Sequence, residues 1–145
     1  MTLILLISSF TVYKTIPNEM EVYGEGSDLG IYQKEMERFV SMESMALEVF
    51  ELPEDTPKDI LLSEIKDRGI YYWVENVKLI DNLDKLDLPL SLKEKNLRLK
   101  DYCQLRIKIF NLLYKSIEED TDRYEKEIQF YSEEIEFIIT ELTGN

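Results

Sequence analysis

Apolar residues recur every three or four positions along this chain from Ile31 onward, which is the spacing of one side of an α-helix. No segment alternates apolar and polar residues for long enough to predict a β-strand. Helix-ending residues at Pro53, Gly69 and Leu88-Pro89 divide the pattern into separate segments. The sequence therefore predicts an all-α fold, an antiparallel bundle of four or five helices with short connections over residues 31–145.

The first predicted helix covers residues 31–52 and ends before Pro53. Its apolar positions are Met36, Phe39, Val40, Ala46, Leu47, Val49 and Phe50. A short second helix is predicted to begin at Thr56-Pro57, because threonine can cap a helix and proline suits its first position. The predicted buried side of this helix comprises Ile60, Leu61, Leu62 and Ile65. Gly69 is predicted to end it by adopting a positive φ.

The third predicted helix extends from about Ile70 to Leu86, and the fourth runs from Ser91-Leu-Lys-Glu94, a capping-box pattern, to Glu119. The predicted buried positions are Ile70, Trp73, Val74, Val77, Ile80 and Leu83 in the third helix, and Leu99, Tyr102, Arg106, Ile109, Phe110, Leu113 and Ile117 in the fourth. Arg106 is the charged member of these stripes. We expect it to pair with a carboxylate on a neighbouring helix or to extend its head to water.

The last predicted helix carries apolar residues in alternating steps of four and three, the spacing of a heptad seam. The seam residues are Tyr124, Ile128, Tyr131, Ile135, Ile138 and Leu142. This face requires a helical partner, and it is short for an isolated coiled coil. Packing within the bundle is the more economical interpretation, and a homo-oligomer formed through this helix is the alternative.

Residues 1–14 form an apolar segment in which the first charged side chain is Lys14. A membrane-spanning helix needs about 20 apolar residues, so this run is predicted to be part of a membrane anchor. The alternative is a secretory signal peptide, although no basic residue precedes the run and no small-residue cleavage site follows it. Residues 15–30 contain Pro17 and three glycines among acidic side chains, and they are predicted to be a linker.

Composition narrows the classes of function. Thirty acidic residues against seventeen basic ones give a net charge of −13, which argues against nucleic acid as a partner. The chain has no histidine, the commonest general base and metal ligand, and its single cysteine, Cys103, cannot form an internal disulfide. These facts exclude most hydrolase mechanisms within this chain.

Four local patterns that could carry chemistry each have a simpler structural explanation. Glu118-Glu-Asp-Thr-Asp122 lacks the glycine and glutamate of an EF-hand loop, and a position at the start of the last helix explains its carboxylates. Gly24-x-Gly26-x-x-x-Gly30 lacks the strand that precedes a nucleotide loop and is predicted to be a flexible turn. Cys103 is predicted to be a buried filler rather than a reactive thiolate assisted by Lys100 or Arg106.

The fourth pattern is Tyr71-Tyr72-Trp73, in which Trp73 is predicted to enter the core while one tyrosine stays at the surface. The alternative is an aromatic belt at a membrane interface. No spacing among the many carboxylates singles out an acid and a base. The sequence therefore nominates no catalytic, cofactor-binding or metal-binding residue.

Several segments together resemble the soluble tail that follows the last membrane helix in some bacterial rhomboid-family intramembrane serine proteases. They are Phe39-Val-Ser-Met-Glu-Ser-Met-Ala-Leu-Glu-Val49, Ile65-Lys-Asp-Arg-Gly-Ile-Tyr-Tyr-Trp73, Leu86-Asp-Leu-Pro89, Tyr102-Cys-Gln-Leu-Arg-Ile107 and Glu118-Glu-Asp-Thr-Asp122. The resemblance covers nearly the whole chain and implies that residues 1–14 are the end of a membrane helix. The Gly-x-Ser-Gly loop and histidine that define rhomboid activity are absent from the sequence, so the resemblance implies no catalytic residue here.

These observations predict a non-catalytic, membrane-tethered acidic helical module that acts as an accessory or protein-interaction domain, in the manner of a rhomboid-like tail. Its predicted location is a bacterial membrane, and Lys14 alone leaves the side of the membrane open. The competing hypothesis is an exported soluble helical binding protein whose N-terminal segment is a signal peptide. A metal-dependent enzyme built on carboxylates alone is the third hypothesis, disfavoured because helical two-metal sites usually include histidine.

Overall fold

A computed structural model describes residues 26–144 of the chain. Its elements are α1 (Asp28–Leu47), a 3₁₀ turn (Glu48–Glu51), α2 (Lys58–Ser63), a π-helical segment (Glu64–Ile70), α3 (Tyr71–Leu83), α4 (Leu90–Glu118) and α5 (Glu125–Thr143). Because α2, the π-helical segment and α3 are continuous, the described residues form four packed helices. The predicted all-α bundle is confirmed.

The helices pack in the order in which they occur along the chain. α1 lies against α3, α3 against α4, and α4 against α5, as expected when short connections join neighbouring helices. Each of the three shared interfaces contributes to one continuous apolar core. The largest side chains in it that are fully buried and apolar are Trp73, Tyr102, Phe39, Phe110, Ile65, Ile80, Leu83, Leu99, Ile109 and Ile128. α5 stands at one end of this order and packs chiefly on α4.

The starts of three helices differ from the predicted ones. α1 begins at Asp28 rather than Ile31, because the Ser27 side chain caps it by accepting a hydrogen bond from the Gly30 amide at 3.0 Å. α2 and α4 follow Pro57 and Pro89, whose extended backbones occupy the capping positions without a side-chain hydrogen bond. The predicted caps at Thr56 and Ser91 are therefore wrong.

Gly69 does not end a helix, and its φ is not positive. It lies inside the π-helical segment, where a Cβ atom would stand 2.3 Å from Cε2 of Phe110 and 3.6 Å from the carbonyl oxygen of Ala46. α1, the π-helical segment and α4 thus meet at this residue. Only glycine leaves room at this position for the Phe110 ring.

The buried side of the helix over residues 58–83 is also shifted from the predicted one. Asn76 and Leu79 are buried in α3, whereas Val74 and Val77 are half-buried and Ile60 is exposed. A π-helix closes its hydrogen bonds over one more residue than an α-helix. The π-helical segment therefore rotates the face that α3 turns to the core, which a uniform period of 3.6 does not anticipate.

The predicted apolar segment over residues 1–14 lies outside the described residues, as does most of the predicted linker. Gly30, which was included in that linker, belongs to the first turn of α1. Among residues 26–144, no helix combines the length and apolarity needed to cross a membrane.

Candidate functional site

A buried polar cluster beside α3 joins a residue of α1 to residues of α4. The Tyr102 hydroxyl donates a hydrogen bond to Oε2 of Glu43 at 2.6 Å, and Nε of Arg106 donates to the Tyr102 hydroxyl oxygen at 3.3 Å. Glu43 and Arg106 are each 1% exposed and Tyr102 is fully buried. Tyr102 therefore links a carboxyl group on α1 to a guanidinium on α4 inside the core.

Aromatic rings enclose the Arg106 guanidinium. Its central carbon lies 5.7 Å from the centre of the Trp73 ring and 5.2 Å from that of Tyr102, within the range of a cation–π interaction. The Trp73 and Tyr102 rings pack edge to face at 5.5 Å. Of the two predicted environments for Arg106, the extension to water is wrong, because its charge is held among core side chains.

Cys103 lies beside this cluster and is fully buried, as predicted. Burial raises the pKa of the Cys103 thiol well above its ordinary value, Glu43 raises it further, and Arg106 opposes the change. The thiol therefore stays protonated at neutral pH. A protonated, inaccessible thiol is a poor nucleophile.

Two buried asparagines extend the polar interior beyond the cluster. Nδ2 of Asn76 donates to the Phe39 carbonyl at 3.2 Å, and Nδ2 of Asn96 donates to Oδ1 of Asp84 at 3.4 Å. Nε1 of Trp73 and the Oδ1 atoms of both asparagines have no hydrogen-bond partner among the described residues. The hydrogen bonds that Asn76 and Asn96 donate are directional, so they favour this arrangement of the helices over shifted ones.

The sequence pattern predicts Arg106 and Cys103 as notable positions, but it does not predict the burial of Glu43, Asn76 or Asn96. Glu43 interrupts the apolar stripe of α1 directly after Met42, and this interruption is the one signal of its burial. Charged residues are rarely buried without a partner, so the prediction would have required knowing that Tyr102 lies opposite.

The acidic segment Glu118–Asp122 does not lie at the start of the last helix, so that explanation is wrong. Glu118 ends α4, and α5 begins only at Glu125. The Glu119 carboxylate pairs with Arg123 at 3.0 Å and accepts a hydrogen bond from the Tyr124 hydroxyl at 2.8 Å. No group of three or more potential metal-ligating side chains occurs within the described part of the chain.

The backbone of this segment forms a helix-ending motif. The Asp120 amide donates to the Ile117 carbonyl at 3.3 Å, and the Thr121 amide donates to the Ser116 carbonyl at 3.0 Å. This is the Schellman pattern, which places Asp120 in the left-handed region with a φ of 50°. The segment is therefore explained as a turn that closes α4.

The aromatic triplet is divided between core and surface as predicted. Trp73 is fully buried, Tyr72 is half-buried and Tyr71 is 53% exposed.

A shallow apolar depression lies between the 3₁₀ turn, α2, the π-helical segment and α4. It is lined by Val49, Phe50, Leu61, Ile65, Leu113 and Ile117, and its free volume is about 10 Å³, which is enough for one water molecule.

The outward side of α5 carries an exposed apolar pair that is not among the residues predicted from the sequence. Phe130 and Phe137 are 57% and 62% exposed, whereas the seam residues Ile128, Ile135 and Ile138 are buried. The two phenylalanines are seven residues apart and thus project from the same side of the helix. Their spacing could have been recognised, because both are large apolar residues at positions outside the heptad seam.

Glutamates lie between these two phenylalanines. Glu133 and Glu134 follow Phe130 by three and four residues, so the set Phe130, Glu133, Glu134 and Phe137 forms one surface, called here the α5 outer face. Along its whole length α5 carries six glutamates and one lysine. Within residues 26–144, neither Glu133 nor Glu134 forms an ion pair with a lysine or arginine. The face is therefore both aromatic and strongly acidic.

Comparisons with known proteins found no matching family model, no matching curated protein and no matching solved structure.

Proposed function

We propose that this protein is a non-catalytic, acidic helical module that binds another protein and is held at a membrane by its apolar residues 1–14. The observation that carries the binding part is the α5 outer face. It combines two exposed phenylalanines with glutamates that form no ion pair among the described residues, on a helix whose other side is already packed against α4. Aromatic residues are enriched at protein interfaces, where they contribute much of the binding energy.

The buried polar cluster supports a structural role for the interior in this proposal. Glu43, Tyr102 and Arg106 are sealed from solvent and hydrogen-bonded to one another through Tyr102. Such a cluster fixes how α1 and α4 are placed relative to each other. A rigid bundle presents its exterior helix in one orientation, which lowers the entropic cost of binding a partner.

Photocrosslinking in living cells tests the binding part. A photoreactive phenylalanine analogue placed at Phe137 of the full-length chain is expected to yield an adduct with one protein that mass spectrometry identifies. The matched control carries the same analogue at Leu90, which is 72% exposed on α4. An adduct at position 137 and not at position 90 supports the proposal. Absence of any adduct at position 137, with the protein folded and expressed, overturns it.

Membrane fractionation tests the tether. The full-length chain is compared with a version that starts at Asn18, and the N-terminal mass of each is determined. Retention of the intact chain in carbonate-washed membranes, with release of the shorter version, supports the tether. A cleaved chain in an exported soluble fraction overturns it and favours the exported binding protein instead.

The rhomboid-like origin is a separate part of the proposal. It rests on the sequence segments quoted above, among them those around Trp73 and Ile107. If it is correct, the DNA upstream of the codon for Met1 encodes further membrane helices in the same frame. A ribosome-binding site directly upstream, without such helices, contradicts it and leaves the binding proposal unaffected.

A further inference from the structure

We infer that the partner of the α5 outer face is a cationic amphipathic helix, that is, a protein segment with apolar residues on one side flanked by lysine or arginine. The inference rests on the proposed function and specifies the chemistry of its partner. Its basis is the alternation of phenylalanine and glutamate along the exposed side of α5.

The spacing of the phenylalanines suits a helical partner. Phe130 and Phe137 are separated by two helical turns, or roughly 10 Å along the axis, at about 1.5 Å per residue. An antiparallel or parallel helix repeats its apolar positions at the same interval of seven residues. Two apolar side chains of the partner can therefore contact both rings at once.

The charges between and around the two phenylalanine rings determine which sign of charge the partner should carry. Glu133 and Glu134 lie between the phenylalanines, and Glu127 and Glu141 lie one turn beyond them on neighbouring positions of α5. Lys126, four residues before Phe130, is the one basic residue of α5, so the carboxylates outnumber it four to one on this side. Glu141 is already paired with α4, because Nε of Arg98 donates a hydrogen bond to Oε2 of Glu141 at 2.6 Å. The other three carboxylates have no basic partner among the described residues, so lysine or arginine on an approaching helix meets a complementary field.

The same charges disfavour the other occupants. A second copy related by twofold symmetry would place Glu133 and Glu134 against the identical residues of its partner, which is repulsive. The net charge of −13 likewise repels nucleic acids and anionic lipid surfaces. A cationic segment of a different protein is the occupant that both the apolar spacing and the charge favour.

α4 provides a matched control surface. Leu90 and Leu97 are also seven residues apart on one helix and are 72% and 59% exposed. Lys93 and Glu94 lie between them, so this pair has mixed charge where the α5 outer face has only glutamates. A partner that recognises exposed apolar residues alone would use either surface, whereas a cationic helix would prefer α5.

The test is a titration of a fluorescent peptide with full-length protein in discs of zwitterionic lipid, with empty discs measured in parallel. The probe is a 21-residue helical peptide with leucine on one side and lysine on the other. We expect saturable binding that F130A/F137A weakens by at least about tenfold, as removal of interface anchors does. E133K/E134K should weaken binding by a similar factor at low salt and by less in 0.5 M salt.

Four outcomes overturn the inference. Equal binding of a peptide in which glutamate replaces every lysine shows that charge is not recognised. An equal loss for L90A/L97A and F130A/F137A shows that no specific surface is used. Loss of peptide binding through self-association, seen by sedimentation as a dimer that F130A/F137A dissociates, shows that a second copy occupies the face. If crosslinking at position 137 identifies a partner while the peptide does not bind, only this inference fails.

Discussion

Replacement of Gly69 by alanine tests whether the three helices approach as closely as described. The new Cβ atom would lie 2.3 Å from Cε2 and 2.6 Å from Cδ2 of Phe110, whereas carbon atoms in contact prefer about 3.5–4.0 Å. The Phe110 ring is fully buried and packs edge to face on Phe50 at 5.5 Å and on Trp73 at 6.1 Å. Because these two rings hold the Phe110 ring in place, the added methyl group is expected to force the ring or the helices apart.

Two effects of opposite sign determine how much G69A changes the free energy of unfolding. Overpacking of a core typically costs about 1–3 kcal/mol, and a contact this short with an enclosed ring belongs at the upper end. Alanine in place of glycine inside a helix stabilises it by about 0.5–1 kcal/mol. We expect a net loss of about 2 kcal/mol in the free energy of unfolding, or roughly 8 °C in Tm for a domain of this size.

The assay is urea unfolding followed by the fluorescence of Trp73, the single tryptophan of the chain, together with circular dichroism. In the double variant G69A/F110L, the smaller side chain relieves part of the overlap. The two changes should therefore cost at least about 1 kcal/mol less together than the sum of their separate costs. The control is G26A, because a Cβ at Gly26 meets no atom within 4 Å. If G69A is as stable as the unaltered protein, the close approach described for Gly69 is refuted.

Three further predictions concern the polar interior and the turn after α4. Y102F should lower the free energy of unfolding by about 1–3 kcal/mol, because buried Glu43 loses the hydrogen bond at 2.6 Å; an unchanged urea midpoint would contradict this. Asp120 has a φ of 50°, which glycine adopts without strain and alanine does not. D120G should therefore raise the free energy of unfolding by about 0.5–1 kcal/mol and D120A should lower it. Equal stability of the two variants would refute the strain argument. Burial raises the pKa of Tyr32 to about 12 from 10.0 and raises that of Cys103 above 9.0, so the unfolded chain releases these protons at lower pH than the folded one. The contribution of these two groups to the free energy of unfolding should therefore be fully present below pH 9 and should be lost as the pH rises towards 12. In Y32F the loss above pH 10 should be less steep. Thermal melts at stepped pH measure this, and an equal slope in Y32F would contradict it.

The candidate surface was only partly accessible from sequence. The heptad seam of the last helix was predicted, and its central residues Ile128, Ile135 and Ile138 are buried. Whether this seam faced α4 or a second copy was open, because both partners present the same kind of apolar helix side. Phe130 and Phe137 became a candidate binding pair only once the seam was seen to be occupied by α4.

The sequence by itself determined the helical class, the stripe of α4 and the acidic exterior. Each of these follows from interactions between residues fewer than eight positions apart, or from a simple sum of charges, and so is present in the linear pattern. Pro53, for example, ends the first helical region wherever the rest of the chain lies, since its ring cannot continue the hydrogen bonding.

Only the tertiary structure decided the continuity of residues 58–83, the role of Gly69 and the partners of Arg106. Gly69 and Phe110 are 41 positions apart in sequence, and Glu43 and Tyr102 are 59 apart. A glycine is locally compatible with both a turn and a helix crossing, and a buried glutamate is locally identical to an exposed one. Packing selected between these states, because it places a ring against one backbone and a hydroxyl against one carboxylate.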